Sequence, residues 1–201
     1  MEMAKFESEL KMEKIKRVGI LGGTFNPPHI GHIILAQEVL NKLNLDKILF
    51  IPANIPPHKN ASLIEAKHRL KMVKLSIEGN KNFSLLDCEI KRGGVSYTVD
   101  TLRELRKIFP SYEFYLIIGS DLAKDFNTWK DYQEIMKLAK VVVGKRKEFP
   151  LEDNNKFIPV DILEIGISSS LIRDWIKRGW CVRYLLLPKV FDYIVKRKLY
   201  L

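Results

Sequence analysis

The residues with the most chemical potential stand together in Gly22-Gly23-Thr24-Phe25-Asn26-Pro27-Pro28-His29-Ile30-Gly31-His32. A short apolar run, Val18–Leu21, ends in two glycines, which let a ligand approach the backbone. Two of the four histidines then stand three apart where a helix begins. Imidazoles beside the free N–H groups of a helix N-terminus form an anion site. Neither a GxxxxGK[ST] nor a GxGxxG loop is present. The plain alternative is a tight strand-to-helix turn with incidental histidines. No metal site is expected, because His29 and His32 would need a third ligand and no HExxH or nearby Asp supplies one.

Four further segments carry candidate chemistry. In Ile167-Ser168-Ser169-Ser170-Leu171-Ile172-Arg173, Ser168 or Ser169 can cap a helix whose buried stripe is Ile172, Trp175 and Ile176. Arg173 then lies off that stripe in the first turn. A cation there opposes the helix dipole unless a phosphate sits at the same terminus; otherwise it is a solvated side chain beside an ordinary cap. Pro56-Pro57-His58-Lys59 is a stiffened loop presenting His58 and Lys59, or simply a surface loop. Gly119-Ser120-Asp121 places a carboxylate at a strand end, suited to ribose hydroxyls or to helix capping. Trp129, eight residues later, can stack on a heteroaromatic ring or fill the core. Ser96-Tyr97-Thr98 opens a helix whose N–H groups could receive a small carboxylate.

The elements that must position these groups alternate. Strands are predicted at Val18–Leu21, Lys47–Ile51, Phe83–Leu86, Tyr112–Ile118 and Ala139–Val143. Helices are predicted at Gly31–Leu43, Ile64–Ile77, Thr98–Phe109, Thr128–Leu138, Ser168–Arg178 (closed by Gly179) and Val190–Arg197. Such alternation gives right-handed βαβ units: a doubly wound, mostly parallel α/β sheet with helices on both faces. Ligands in these sheets bind outside the carboxyl ends of the strands, where the motifs fall. One domain is expected over 17–201, with 167–201 as its helical C-terminal part and 1–16 as a helical or disordered tail.

The chain of 201 residues carries 34 Lys+Arg against 24 Asp+Glu, a net charge of +10, which favours anionic partners. No apolar run reaches the length of a membrane span, and the first 17 residues mix Lys with Glu where a signal peptide needs an apolar core. Cys88 and Cys181 stand far apart without a CxxC, so no disulfide framework is expected, and Cys181 reads as a small buried hydrophobe. The cytoplasm is the expected location.

Together these segments resemble the nucleotidyltransferase superfamily, whose (T/H)xGH signature is matched by His29-Ile30-Gly31-His32 and whose ISSTxxR signature is matched by Ile167–Arg173, with Ser170 for Thr. Within it the chain is similar to the bacterial nicotinate-mononucleotide adenylyltransferases over about 17–201. The similarity includes IPANIPPHK, Arg69-Leu70-Lys71-Met72, GGVSYTVDTL, FYLIIGSD, the Trp129 loop and Val143-Gly144-Lys145-Arg146. Residues 1–16 are extra to the pattern, and Phe149–Gly166 matches it poorly.

The resemblance implies a Rossmann-like nucleotidyltransferase fold and adenylyl transfer from ATP to nicotinate mononucleotide. It implies catalytic roles for His29, His32 and Arg173, the histidines on the ATP phosphates and His32 nearest the α-phosphate. Gly22, Gly23, Thr24, Phe25, Gly119, Asp121, Ile167, Ser168, Ser169 and Ser170 would complete the ATP site. The acceptor would meet Asn26, His58, Lys59, Tyr97, Thr98, Asp121, Trp129 and Arg146. Mg²⁺ would be held mainly through phosphates and water. No nucleic acid or membrane partner is implied, and the chain could act as a monomer or a homo-oligomer.

Overall fold

A computed structural model describes residues 17–57, 63–145 and 156–201. Six strands form one sheet: β1 Arg17–Gly23, β2 Lys47–Pro52, β3 Phe83–Leu85, β4 Glu113–Gly119, β5 Lys140–Lys145 and β6 Ile158–Asp161. Their order is β3-β2-β1-β4-β5-β6, and every neighbouring pair is parallel. The helices are α1 Ile30–Lys42, α2 Ala66–Ile77, α3 Cys88–Arg92, α4 Thr98–Ile108, α5 Ser120–Ala123, α6 Tyr132–Leu138, α7 Ser169–Lys177 and α8 Pro188–Arg197.

Strand periodicity sorts the apolar side chains onto two faces. Val18, Ile20, Leu49, Ile51, Leu116, Ile118, Val141 and Val143 pack with Val99, Leu102 and Leu105 of α4 and Ile135 of α6. The alternating residues, including Leu21, Ile48, Phe50, Tyr115, Ile117 and Val142, pack with α1 and α2 through Leu35, Ala36, Val39, Val73 and Ile77. Burial on both faces explains the continuous apolar strands. A third cluster joins Met72 of α2 to Ile172, Val182, Leu186, Val190 and Ile194, which seats the C-terminal helices against the sheet domain.

The strand order reverses direction between β1 and β4, so the loops after these two strands diverge and leave a crevice. Gly19 leaves the space over β1 that the side-chain ends of Ile48, Ile117 and Leu45 fill. A Cβ there would lie 2.4 Å from Ile48 Cδ1 and 2.9 Å from Ile117 Cδ1.

The structure corrects several expectations. The helix expected over Thr128–Leu138 is broken: a 3-10 turn spans Phe126–Thr128, Trp129 is extended, and Asp131 is left-handed at φ 51° before α6 begins at Tyr132. Arg103 of α4 holds this break in place, donating to Asp131 Oδ2 at 3.0 Å and Glu134 Oε1 at 2.9 Å. β6 was not expected, because it is an edge strand with Pro159 in it and only Val160 buried. Cys181 is exposed rather than buried. The expected tail 1–16 and the residues His58, Lys59 and Arg146 lie outside the described residues.

Gly19→Ala drives a methyl group into packed side-chain ends. Denaturant unfolding should show a loss of about 1–3 kcal/mol, net of the small gain from a stiffer unfolded chain.

Candidate active site

The carboxyl ends of β1 and β4 open onto two adjoining cavities. One, of about 570 Å³, is lined by Gly22, Gly23, Thr24, Phe25, Asn26, His29, Gly31, His32, Gly119, Asp121, Ile167, Ser168, Ser169, Ser170 and Arg173, among others. The other, of about 190 Å³, is mostly apolar and includes Tyr97, Thr98, Trp129, Lys130, Ser96 and Glu89. Gly22, Gly23, Thr24, Ile117, Ile118 and Leu122 border both. The structure thus brings together every described residue expected at the ATP site. It sets Tyr97, Thr98 and Trp129 apart in the second cavity.

The turn after β1 is shaped by a few local constraints. Phe25 takes a left-handed φ of 50° and is buried, its ring 5.1 Å from that of His32 and 6.1 Å from that of Phe50. The Asn26–Pro27 bond is cis. His29 then caps α1. His32 occupies the position where a capping box usually has Glu or Gln, and its Nδ1 accepts the backbone N–H of His29 at 3.2 Å. In a neutral ring this fixes the proton on Nε2, which becomes the donor. The two imidazoles lie 3.8 Å apart, centre to centre. Gly31 leaves room for the His29 ring, since a Cβ there would come 3.1 Å from it and push it by a few tenths of an ångström. This is a steric reason for glycine between the paired histidines.

The opposite wall is α7. Ser168 caps it, its Oγ accepting from Leu171 N–H at 3.1 Å, which decides between the two serines the sequence offers. Ser169 Oγ donates to Pro27 O at 2.8 Å, and Arg173 Nη1 donates to Asn26 O at 2.8 Å. Arg173 therefore has a structural partner as well as a place in the groove. Tyr200, near the C-terminus, donates to Asn26 Oδ1 at 3.0 Å, and burial raises its hydroxyl well above the ordinary range. Asn26 is buried and held from both sides, so its described bonds shape the loop. Asp121 stands in the first turn of α5, where a Cβ on Gly119 would come 2.3 Å from its Oδ1.

In the second cavity, Trp129 is partly buried against Phe126 and borders the start of α4. Thr98 opens α4, with Tyr97 as its cap residue. Sequence reasoning assigns no role to three neighbours. Lys130 Nζ lies 4.4 Å over the Tyr97 ring and 3.3 Å from Asp100 Oδ2. Glu89 is buried on α3, a five-residue helix too short to show a period, and accepts from Thr101 Oγ1 at 2.6 Å. Arg69 is 1% exposed and reaches the β1 turn. Its signal was an Arg in register with Met72, Val73 and Ser76 on the buried side of α2.

Asp121 is the one carboxylate among the described residues lining the larger cavity. Among the described residues no three His, Cys, Asp or Glu side chains cluster to hold a metal ion, and no helix is long and apolar enough to cross a membrane.

The Cytidylyltransferase-like family profile matches residues 20–174. A Streptococcus pyogenes relative is 41% identical over 98% of this chain and 94% of its own length. One from Oceanobacillus iheyensis is 39% identical over 92% of this chain and 97% of its own. Both bear the name "Probable nicotinate-nucleotide adenylyltransferase". The chain belongs to the nicotinate-nucleotide adenylyltransferase family. A Plasmodium falciparum nicotinic acid mononucleotide adenylyltransferase, solved in complex with NaAD, shares the fold of this family member at a TM-score of 0.80. It is 24% identical, over 92% of this chain and 97% of that one.

Burial raises the Glu89 carboxyl, opposed by hydrogen bonds from Thr101 and Ser96 and by the charge of Arg92. The folded state thus holds this proton to higher pH than the unfolded state does. Ionising Glu89 subtracts stability as pH rises through and above the ordinary carboxylate range. Thermal unfolding of Glu89→Gln beside the parent should show the parent's advantage shrinking as pH rises through and above the ordinary carboxylate range. A constant difference contradicts this.

Proposed function

We propose that the chain transfers the adenylyl group of ATP to nicotinate mononucleotide, forming nicotinate adenine dinucleotide and pyrophosphate. One observation carries the reading: two imidazoles, the N-terminus of α7 and Arg173 face one groove, which shares its glycine turn with an apolar pocket. A triphosphate and a planar ring would then meet across that turn. The activity named for the relatives supports the same pairing.

In this reading a phosphate oxygen of the mononucleotide attacks the α-phosphorus of ATP as the bond to the bridging oxygen of pyrophosphate breaks. That oxygen is already anionic near neutral pH, so no activating base is needed. Catalysis is positioning and charge stabilisation. His32 Nε2–H donates to the α-phosphate, where charge develops, with His29 beside it. The Ser169 and Ser170 N–H groups and Arg173 hold the β- and γ-phosphates and then the departing pyrophosphate. Gly22, Gly23, Thr24 and Phe25 line the middle of the chain of phosphates. Asp121 accepts from a ribose hydroxyl.

Trp129 stacks on the pyridine ring, and N–H groups at Thr98 receive the carboxylate. His58, Lys59 and Arg146 complete the acceptor side as the family resemblance implies. Bound Mg²⁺ would neutralise phosphate charge, held mainly through phosphate oxygens and water. The reading places the chain in the cytoplasm with its substrates.

Pyrophosphate release from ATP, with nicotinate and nicotinamide mononucleotides compared side by side, tests the assignment. The nicotinate form should be strongly preferred, and His32→Ala should lower turnover about 100-fold or more while the protein stays folded. Equal use of both forms would discard the carboxylate pocket. Near-normal turnover by folded His32→Ala would remove His32 from catalysis.

A further inference from the structure

Arg69 is the largest of the fully buried side chains, yet it carries a charge. It projects from α2, and its hydrogen bonds go to backbone carbonyls on three different segments. Nη1 donates to Thr24 O at 3.0 Å and to Ala53 O, Nη2 to Asn54 O at 2.8 Å, and Nε to Ile64 O at 3.3 Å. Thr24 belongs to the turn that borders both cavities. Ala53 and Asn54 are where β2 leaves the sheet.

From Asn54 the bonding continues. Its backbone N–H donates to Ser96 Oγ at 2.8 Å, and its Nδ2 donates to Gly94 O at 2.9 Å. Ser96 N–H in turn donates to Ile55 O at 2.8 Å. Ser96 immediately precedes Tyr97 and Thr98, which open α4 in the acceptor pocket. A continuous path therefore runs from the phosphate turn to the acceptor turn, and one guanidinium is its junction.

Burying a cation against carbonyls alone is costly, and desolvation lowers the Arg69 pKa accordingly. An apolar side chain would suit the neighbouring Met72 and Val73 better. A guanidinium offers five donors in a rigid planar fork, which no other side chain supplies.

We propose that Arg69 is a positioning residue. It fixes the phosphate-binding turn and the acceptor-binding turn at the mutual distance and angle that in-line attack requires. This rests on the reading that the two cavities hold ATP and the mononucleotide.

The test is Arg69→Lys, which keeps the charge but loses the fork. Circular dichroism would establish its fold. Calorimetry would measure binding of α,β-methylene-ATP and of nicotinate mononucleotide separately, and pyrophosphate release would give kcat and both KM values. Misalignment of about 1 Å costs about 100-fold in rate, so kcat should fall by about that factor while each separate Kd stays within about threefold. A role in stability alone would lower the unfolding temperature and leave kcat of the folded protein in place.

Ser96→Ala removes the bond from Asn54 N–H to Ser96 Oγ, one of the three at the far end of the path, without touching Arg69. It should lower kcat about tenfold with binding of the analogue unchanged, and it decides the matter if Arg69→Lys does not fold. Turnover within about threefold of the parent in either folded variant would overturn the proposal. So would a loss confined to the Kd of the ATP analogue, which would make Arg69 an anion-binding charge. A parent protein that releases no pyrophosphate with either mononucleotide would overturn the functional reading itself, and this inference with it.

Discussion

Two hydrogen bonds tie the walls of the groove together: Ser169 Oγ donates to Pro27 O and Arg173 Nη1 to Asn26 O. These contacts join segments more than 140 residues apart in the chain. A triphosphate is a dense negative charge, and the β1 turn alone offers it one wall. The second wall is the N-terminus of α7, whose free N–H groups carry the positive end of a helix dipole. α7 reaches that place because its apolar side, led by Ile172, packs with Met72 of α2 and with α8. Tyr200 closes the arrangement from the far end of α8 by holding Asn26.

The same economy appears within the turn. Each unusual feature is held by another: Phe25 by the rings of Phe50 and His32, His32 by the N–H of His29, and the His29 ring by the space that Gly31 leaves. Rigid donors need not reorganise when charge develops, which is the condition under which hydrogen bonds to a reacting phosphate are most effective. The net positive charge of the chain acts in the same direction at long range, drawing anionic substrates toward the crevice.

Most of the frame was legible in the residues. Near-continuous apolar strands ending in glycine announced a parallel sheet covered on both faces, and the register confirms it. The Ser168 cap and Gly179 stop marked α7 to within a residue. What escaped notice lacked local period. β6 buries one side chain, α3 is five residues long, and the Trp129 loop owes its break to Arg103, which acts from another helix. Pairing His32 with α7 was legible only through the family resemblance, because nothing in local spacing brings residue 26 to residue 173. Arg69 stands in a family motif, but its role is not legible there, since its acceptors are carbonyls and carry no sequence signature.

The most direct test of the account is a crystal structure with α,β-methylene-ATP. The account predicts the β- and γ-phosphate oxygens within hydrogen-bond distance of the Ser169 and Ser170 N–H groups and of Arg173, with the α-phosphate beside His32 Nε2. A triphosphate bound away from α7, or one whose α-phosphate lies remote from both histidines, would contradict it.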